Sequence, residues 1–192
     1  MTALVRSDLM SLEEYARRRP EFRARVMRHK QDRQVQIGNH ARLYFEDRLT
    51  IQYQIQEMLR IEKIFEAEGI EAELSAYNPL IPDGRDWKAT FMLEYEDGEE
   101  RKLALARLQG IAGKVWAEVG GERVFAVADE DGDREDEEKT SSVHFLRFDL
   151  TDGMIKAARA GQPIRMGIDH RHYRHDTVVA DSVRASLVAD LR

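Results

Sequence analysis

The sequence predicts an α+β protein in which a mostly antiparallel sheet, built from hairpins, packs against several helices and follows an N-terminal helical segment. Pairs of segments with alternating apolar and polar residues flank glycine-containing turns, which is typical of β-hairpins. Other segments repeat their apolar residues with a helical period. The chain has 192 residues, of which 42% are hydrophobic, so it can form a sizeable core. We therefore predict one domain over residues 1–192.

The first 33 residues are predicted to form a basic helical segment, and residues 34–192 the α+β body. The segment holds nine Arg or Lys and five Asp or Glu, a net charge of +4 in a chain of net charge −6. The body therefore carries a net charge of −10. Ser11 and Glu14 form a capping box, which predicts a helix beginning there. Pro20 is expected to break or kink this helix, because proline cannot donate the interior hydrogen bond.

Alternation and helical periodicity predict the elements of the body. A hairpin over 34–46 turns at Gly38-Asn39, and a second one over 115–128 turns at Gly120-Gly121. The other predicted elements, in chain order, are helices over 47–69 and 70–77, a strand over 88–96, a helix over 97–108, a strand over 142–150, a helix over 151–160, strands over 163–173 and 177–180, and a helix over 181–191. Hairpins mixed with helices support the α+β class.

Glu62 is the most informative residue of the predicted 47–69 helix. The apolar residues of this helix fall on one side at about 100° per residue: Ile51, Ile55, Met58, Leu59, Ile61 and Phe65. Glu62 falls near the middle of this stripe. Because burying an unpaired carboxylate is costly, we predict that Glu62 is buried and contacts a cation, a histidine or a metal. It is the candidate catalytic residue. Pairing with Arg147 or Arg165 is the structural alternative.

Three histidines lie on strand faces that are predicted to point inward. His170 and His172 share a face of the predicted 163–173 strand, about 7 Å apart, and His144 shares a face with Leu146 and Phe148. Three imidazoles and the Glu62 carboxylate would suit zinc, iron or manganese. The alternative for each histidine is a hydrogen-bonded structural role near the core.

Residues and motifs that the chain lacks exclude several classes of protein. There is no cysteine, so disulfides, thiolate nucleophiles and cysteine-ligated iron–sulfur clusters are excluded. No nucleotide-binding motif or H-E-x-x-H motif occurs. Residues 129–138 are acidic, but Arg134 replaces the glycine of a calcium-binding loop, so an exposed acidic loop is predicted. The sequence has no apolar run long enough for a membrane span and no secretory signal, so we expect a cytoplasmic protein.

Several stretches of the chain resemble one bacterial family. They are Phe45-Glu46 with residues 54–63, residues 77–82, residues 138–148 and Asp169-His170. Through these stretches the chain resembles the bacterial domain of unknown function family 3501 over almost its whole length. The resemblance implies a redox or peroxide-stress setting, because such proteins are often encoded beside a rubrerythrin-like protein and an iron–sulfur protein. It implies no catalytic residue.

The leading functional hypothesis is an accessory protein of a redox module that acts by binding partners, namely the rubrerythrin-like and iron–sulfur proteins. Its candidate docking residues are Arg17, Arg18, Arg19, Arg23 and Arg25. The alternative is a metal-binding protein or metal-dependent enzyme that uses the His/Glu set. Nucleic-acid binding through the basic helical segment is a second alternative, and a homodimer is a further prediction. The residues leave open whether the protein is an enzyme.

Overall fold

The structure, a computed structural model, describes residues 2–128 and 139–192, so the predicted acidic loop lies outside the described residues. The helices described are α1 (Leu12–Gln31), α2 (Arg48–Ile61), α3 (Ala67–Tyr77), α4 (Gly98–Arg107), α5 (Asp152–Arg159) and α6 (Asp181–Ala189). The strands are β1 (Gln34–Ile37), β2 (Ala41–Phe45), β3 (Asp86–Leu93), β4 (Val115–Val119), β5 (Glu122–Phe125), β6 (Val127–Ala128), β7 (Val143–Asp149), β8 (Ile164–His170) and β9 (Tyr173–Val178). Short 3₁₀ turns occupy Arg6–Asp8, Asn78–Leu80 and Ala112–Lys114. The α+β class that the sequence predicts is confirmed.

The strands form two antiparallel sheets. One sheet has the order β1-β2-β3-β7-β6 and the other the order β5-β4-β8-β9. Hairpins join β1 to β2, β4 to β5 and β8 to β9. The β4–β5 turn contains Gly120 and Gly121, whose φ angles of 61° and 83° cost glycine little because it has no Cβ. The two hairpins predicted from glycine turns are therefore confirmed.

Both sheets contribute to one hydrophobic core. Inward-facing residues alternate along β2, β3 and β7, and the large aromatic side chains of this face are fully buried: Phe45, Trp87, Phe91 and Phe148. The indole N–H of Trp87 donates to the carbonyl oxygen of Leu187 at 3.0 Å, so α6 is held against the sheet. The period of two in the sequence therefore identifies the buried face correctly.

Helices α1, α2 and α3 pack around a second, smaller core. Its fully or nearly buried members are Leu4, Ile51, Ile55, Leu59, Leu74 and Ile81. Helix α1 runs antiparallel to α2, since Phe22 contacts Tyr53 at 6.1 Å between ring centroids while His29 reaches Asp47 at the start of α2. Among the described helices, none combines the length and the apolar composition that a membrane crossing requires.

The structure corrects the predicted break at Pro20. Helix α1 continues without interruption for 20 residues, with Pro20 in its interior and exposed to solvent. Proline removes one hydrogen bond and crowds the preceding turn, but packing of the opposite helix face against α2 can outweigh that local cost. Tyr15 and Val26 lie on this packed face, and both are 0% exposed.

Two predicted ends of elements are also corrected. Strand β8 ends at His170, which pairs with Tyr173 at the start of β9. Arg171 and His172 form the two-residue turn between these strands. Helix α2 ends at Ile61, and Gly69 lies inside α3 rather than at a helix end. These corrections matter for function, because they move His172 and Glu62 out of the positions that the sequence predicts.

Candidate functional site

Glu62 is exposed, so the prediction that it is buried and paired is wrong. It is the C-cap residue that follows Ile61 at the end of α2, and no hydrogen bond or ion pair joins its carboxylate to the described residues. The helical period identifies the buried face of α2 correctly as far as Leu59, but beyond Leu59 no other element in the described parts of the chain covers the apolar stripe. Ile61 and Phe65, which were expected to flank a buried Glu62, are 58% and 71% exposed.

Glu57 is the carboxylate of α2 that forms ion pairs. Arg19 donates to both of its oxygens, at 2.7 and 2.9 Å, and the Tyr15 hydroxyl donates to Oε1 at 2.6 Å. The hydrogen bonds from Arg19, more than those from Tyr15 and Arg60, lower the pKa of Glu57 to about 2. The available sequence signal was the spacing of Tyr15 and Arg19, four residues apart on one face of α1.

The five candidate arginines of α1 fall into two groups. Arg19 is bound to Glu57 and therefore holds α1 to α2. Arg17, Arg18, Arg23 and Arg25 are exposed. Arg18 lies 3.0 Å from Glu14, whose side chain is 41% exposed, whereas the other three have no ion pair with any carboxylate in residues 2–128 and 139–192. Their guanidinium groups are free to bind an acidic surface.

His144 is buried, as its position on the inward face predicts, and is held by hydrogen bonds. Its Nε2 lies 2.9 Å from the carbonyl oxygen of Ser141 and 3.1 Å from the Thr140 hydroxyl oxygen. Since a carbonyl oxygen only accepts, Nε2 carries the proton. The imidazole also packs near the Phe91 ring, at 6.1 Å between centroids. These contacts agree with the structural alternative for this histidine.

His170 is buried as well, while His172 is exposed in the β8–β9 turn. Nε2 of His170 donates to the carbonyl oxygen of Gln109 at 3.0 Å, and Nδ1 accepts from the His172 backbone N–H at 3.3 Å. Both ring nitrogens of His170 therefore form hydrogen bonds that require its neutral form. Burial lowers the pKa of His170 below its ordinary value, which agrees with that neutral form.

The four candidate metal ligands do not form one cluster. His170 and His172 are close, with 5.7 Å between ring centroids, but Glu62 is exposed at the end of α2 and His144 is on the other sheet. Nowhere in the described parts of the chain do three or more His, Asp or Glu residues lie close enough to hold a metal ion. Arg147 and Arg165, the alternative partners of Glu62, pair with Asp149 and Asp176 instead.

A buried cluster of charges around Arg33 is absent from the sequence-based predictions. Arg33 is 2% exposed, and its Nη2 lies 2.6 Å from Oδ2 of Asp190. Asp47 Oδ2 lies 3.5 Å from Arg33 Nε and 2.5 Å from His29 Nε2. No sequence motif predicts this cluster, because its members come from α1, α2 and α6 and their flanking residues, which are far apart along the chain.

The two carboxylates of the Arg33 cluster differ in pKa. Burial favours the neutral form of Asp47, but the charge of Arg33, the Thr50 backbone N–H and His29 outweigh it and lower the pKa. Burial raises the pKa of Asp190 in spite of its hydrogen bonds with Arg33. The cluster therefore compensates a buried guanidinium and joins the N-terminal helices to α6, a structural role.

Comparison with known proteins gives a family and a relative of known structure, but no activity. The model of a family described as "Protein of unknown function (DUF3501)" matches residues 3–191. A crystal structure at 1.90 Å resolution of a protein of unknown function from Burkholderia pseudomallei K96243 is 51% identical, covers 100% of both chains and superimposes with a TM-score of 0.94. No curated protein matches the chain.

Proposed function

We propose that this chain, which belongs to the family of proteins of unknown function DUF3501, is an accessory protein. It binds an acidic surface of a partner protein through helix α1. The observation that carries this proposal is a set of exposed arginines that have no ion pair with residues 2–128 or 139–192, namely Arg17, Arg23 and Arg25. The family resemblance suggests the redox setting and the partners to test first, a rubrerythrin-like protein and an iron–sulfur protein.

Free arginines favour association for a simple energetic reason. An exposed guanidinium that is already paired within the chain must give up that pair before it binds a partner, and the net gain is then small. Arg17, Arg23 and Arg25 have no such pair to lose within the part of the chain that the structure describes. Complementary charge also accelerates encounter and selects against like-charged surfaces. The contrast between this segment and the acidic remainder of the chain would orient an acidic partner towards α1.

The charge pattern of α1 favours a protein partner over nucleic acid. Glu13 and Glu21 are exposed on the same helix, so the arginines do not form a continuous basic stripe. A phosphate backbone presents negative charge at every step and would be repelled by these carboxylates. A protein surface that combines acidic with occasional basic side chains can pair with both signs.

The proposal can be tested by measuring binding to purified rubrerythrin-like and iron–sulfur proteins from the same organism, at low salt and at ~0.5 M salt. The test variant replaces Arg17, Arg23 and Arg25 with serine. The matched control replaces three exposed arginines outside α1 with serine, namely Arg85, Arg165 and Arg174. Both variants have the same net charge, so a difference between them reports the position of the charges.

We expect the α1 variant to bind about tenfold more weakly than the control at low salt, and the difference to shrink at high salt. Equal weakening by the two variants would show that only net charge matters and would contradict the proposal. Failure of both partner proteins to bind at low salt would also contradict it. Binding of duplex or single-stranded nucleic acid with a strong salt dependence, and of neither protein, would favour the nucleic-acid alternative.

A further inference from the structure

The turn between α2 and α3 exposes two large apolar side chains. Ile61 and Phe65 are 58% and 71% exposed, and they lie within five residues of one another. We call residues 61–66 the helical tip. Scattered exposed apolar residues are common in proteins, whereas grouped ones next to a hollow mark binding surfaces.

A hollow of about 270 Å³ adjoins the helical tip. It lies among the start of α1, the end of α2 and the start of α3. Its apolar walls include Leu9, Met10, Leu12, Leu59, Phe65 and Ile70. A volume of this size can accept one or two apolar side chains, so Phe65 stands beside a cavity of matching chemistry.

The backbone of the helical tip is ordered by hydrogen bonds, so exposure of Phe65 is part of the folded conformation. Lys63 has φ 55°, and it is the one non-glycine residue with positive φ in the described parts of the chain. The N–H of Ile64 donates to the carbonyl oxygen of Leu59 at 2.9 Å, which is the bond of a Schellman motif. A left-handed lysine costs free energy that glycine would not, and strain of this kind concentrates at functional sites.

We call the exposed charged residues that line the hollow, or lie within two residues of its lining residues in sequence, its rim; among them acidic residues outnumber basic ones. The exposed glutamates of the tip and of the start of α3 have no ion pair with any described residue: Glu62, Glu66, Glu68 and Glu71. The exposed basic residues nearby are Arg6, which lines the hollow, Arg60, which is paired with Glu57, and Lys63. Apolar contacts in the centre with unpaired carboxylates around them match a segment that is apolar on one face and basic at its edges.

We infer that the helical tip is a docking site for a basic amphipathic helix of another protein. An apolar side chain of that helix would enter the hollow beside Phe65, and its Lys or Arg residues would pair with the glutamates. A second copy of this chain fits less well, because two tips face to face would bring together two rims of net negative charge. Helix α1 of a second copy is also unsuited, since it exposes no large apolar residue.

A synthetic Leu/Lys helix, with leucines spaced along one face, is a suitable probe, and a Leu/Glu helix with the same leucine positions is its control. Binding is measured by isothermal titration calorimetry with the full chain. Phe65→Ser removes the apolar contact, and Glu62→Gln with Glu66→Gln removes rim charge. Leu103→Ser is the matched control for Phe65→Ser, because Leu103 is 61% exposed and lies on α4.

We expect the Leu/Lys helix to bind at least about tenfold more tightly than the Leu/Glu helix, and Phe65→Ser to weaken it about tenfold. The double Gln variant should weaken it severalfold, and Leu103→Ser should leave it unchanged. Equal effects of Phe65→Ser and Leu103→Ser would overturn the inference, as would equal affinity for both helices. A dimer of the free chain that is lost in Phe65→Ser would also overturn it, in favour of a second copy.

This docking site is independent of the arginine surface of α1. The variant that lacks Arg17, Arg23 and Arg25 should bind the Leu/Lys helix as the unmodified chain does. Loss of partner binding in that variant with retention of peptide binding would support both proposals. In Phe65→Ser we expect the converse, weaker peptide binding with unchanged partner binding; unchanged peptide binding in that variant would contradict the docking site at the helical tip and leave the α1 proposal standing.

Discussion

Replacing Asp190 with alanine should strongly destabilise the protein, because the change leaves a buried guanidinium without its closest carboxylate. Arg33 is 2% exposed, and Asp190 Oδ2 lies 2.6 Å from its Nη2. The other hydrogen bonds of Arg33 go to the Ser186 hydroxyl and to the backbone carbonyls of Phe45 and Glu46. These groups are uncharged and cannot replace the carboxylate.

The expected loss of unfolding free energy depends on the charged groups that remain around Arg33 after the substitution. Removing one partner of a buried ion pair costs about 3–5 kcal/mol, whereas replacing both partners by apolar residues costs much less. Asp47 stays 3.5 Å from Arg33 Nε after the change, so we expect the lower end, about 3 kcal/mol. The double variant Arg33→Met with Asp190→Leu should lose less stability than Asp190→Ala alone.

Urea unfolding at neutral pH measures this loss, with tryptophan fluorescence as the signal. Asp169→Ala is the control, since Asp169 pairs with Arg174 at 2.9 Å on the surface, where the two side chains are 50% and 77% exposed. The control should cost less than about 1 kcal/mol. If Asp190→Ala also costs less than about 1 kcal/mol, our account of the buried charge cluster is refuted.

Three more predictions concern the two cores and α1. The pKa of Glu57 is lowered from its ordinary value of 4.5 to about 2, so its ionised form stabilises the fold fully above pH 4.5, and this contribution is lost as pH falls towards 2. Glu57→Gln should flatten this pH dependence of stability in urea titrations, whereas Glu62→Gln should not. Equal curves for the two variants would contradict the pairing of Glu57. Gly167→Ala should cost about 1–3 kcal/mol, because a Cβ would overlap the Trp116 ring, and an unchanged melting temperature would rule this out. Pro20→Ala should stabilise the protein by about 1–2 kcal/mol in thermal unfolding by restoring an interior helical hydrogen bond; no gain would mean that α1 already accommodates proline without cost.

The position of Glu62 shows that helical periodicity predicts the apolar face of a helix but not how far along the helix that face is buried. The apolar stripe of α2 was identified correctly up to Leu59, because helical periodicity is a local property of the chain. Whether the stripe continues to be buried depends on what lies opposite it. The chain leaves the helix at Lys63, and the surrounding elements form a hollow beside Phe65 instead of covering the stripe. The same limit applies to His172, which lies in a turn and not on the face of His170, because the strand ends at His170, three residues before its predicted end.

By itself the sequence determined the α+β class, the glycine hairpins, the inward faces that bury His144 and His170, and the basic character of the first helix. These properties follow from local spacing and composition. Only the tertiary structure decided which charges are paired and which are free. Arg33 meets Asp190 across 157 residues of sequence, and Arg19 meets Glu57 across 38. The strength of such a pair depends on distance and burial between elements that are remote along the chain, and the periodicity within one element carries no information about either.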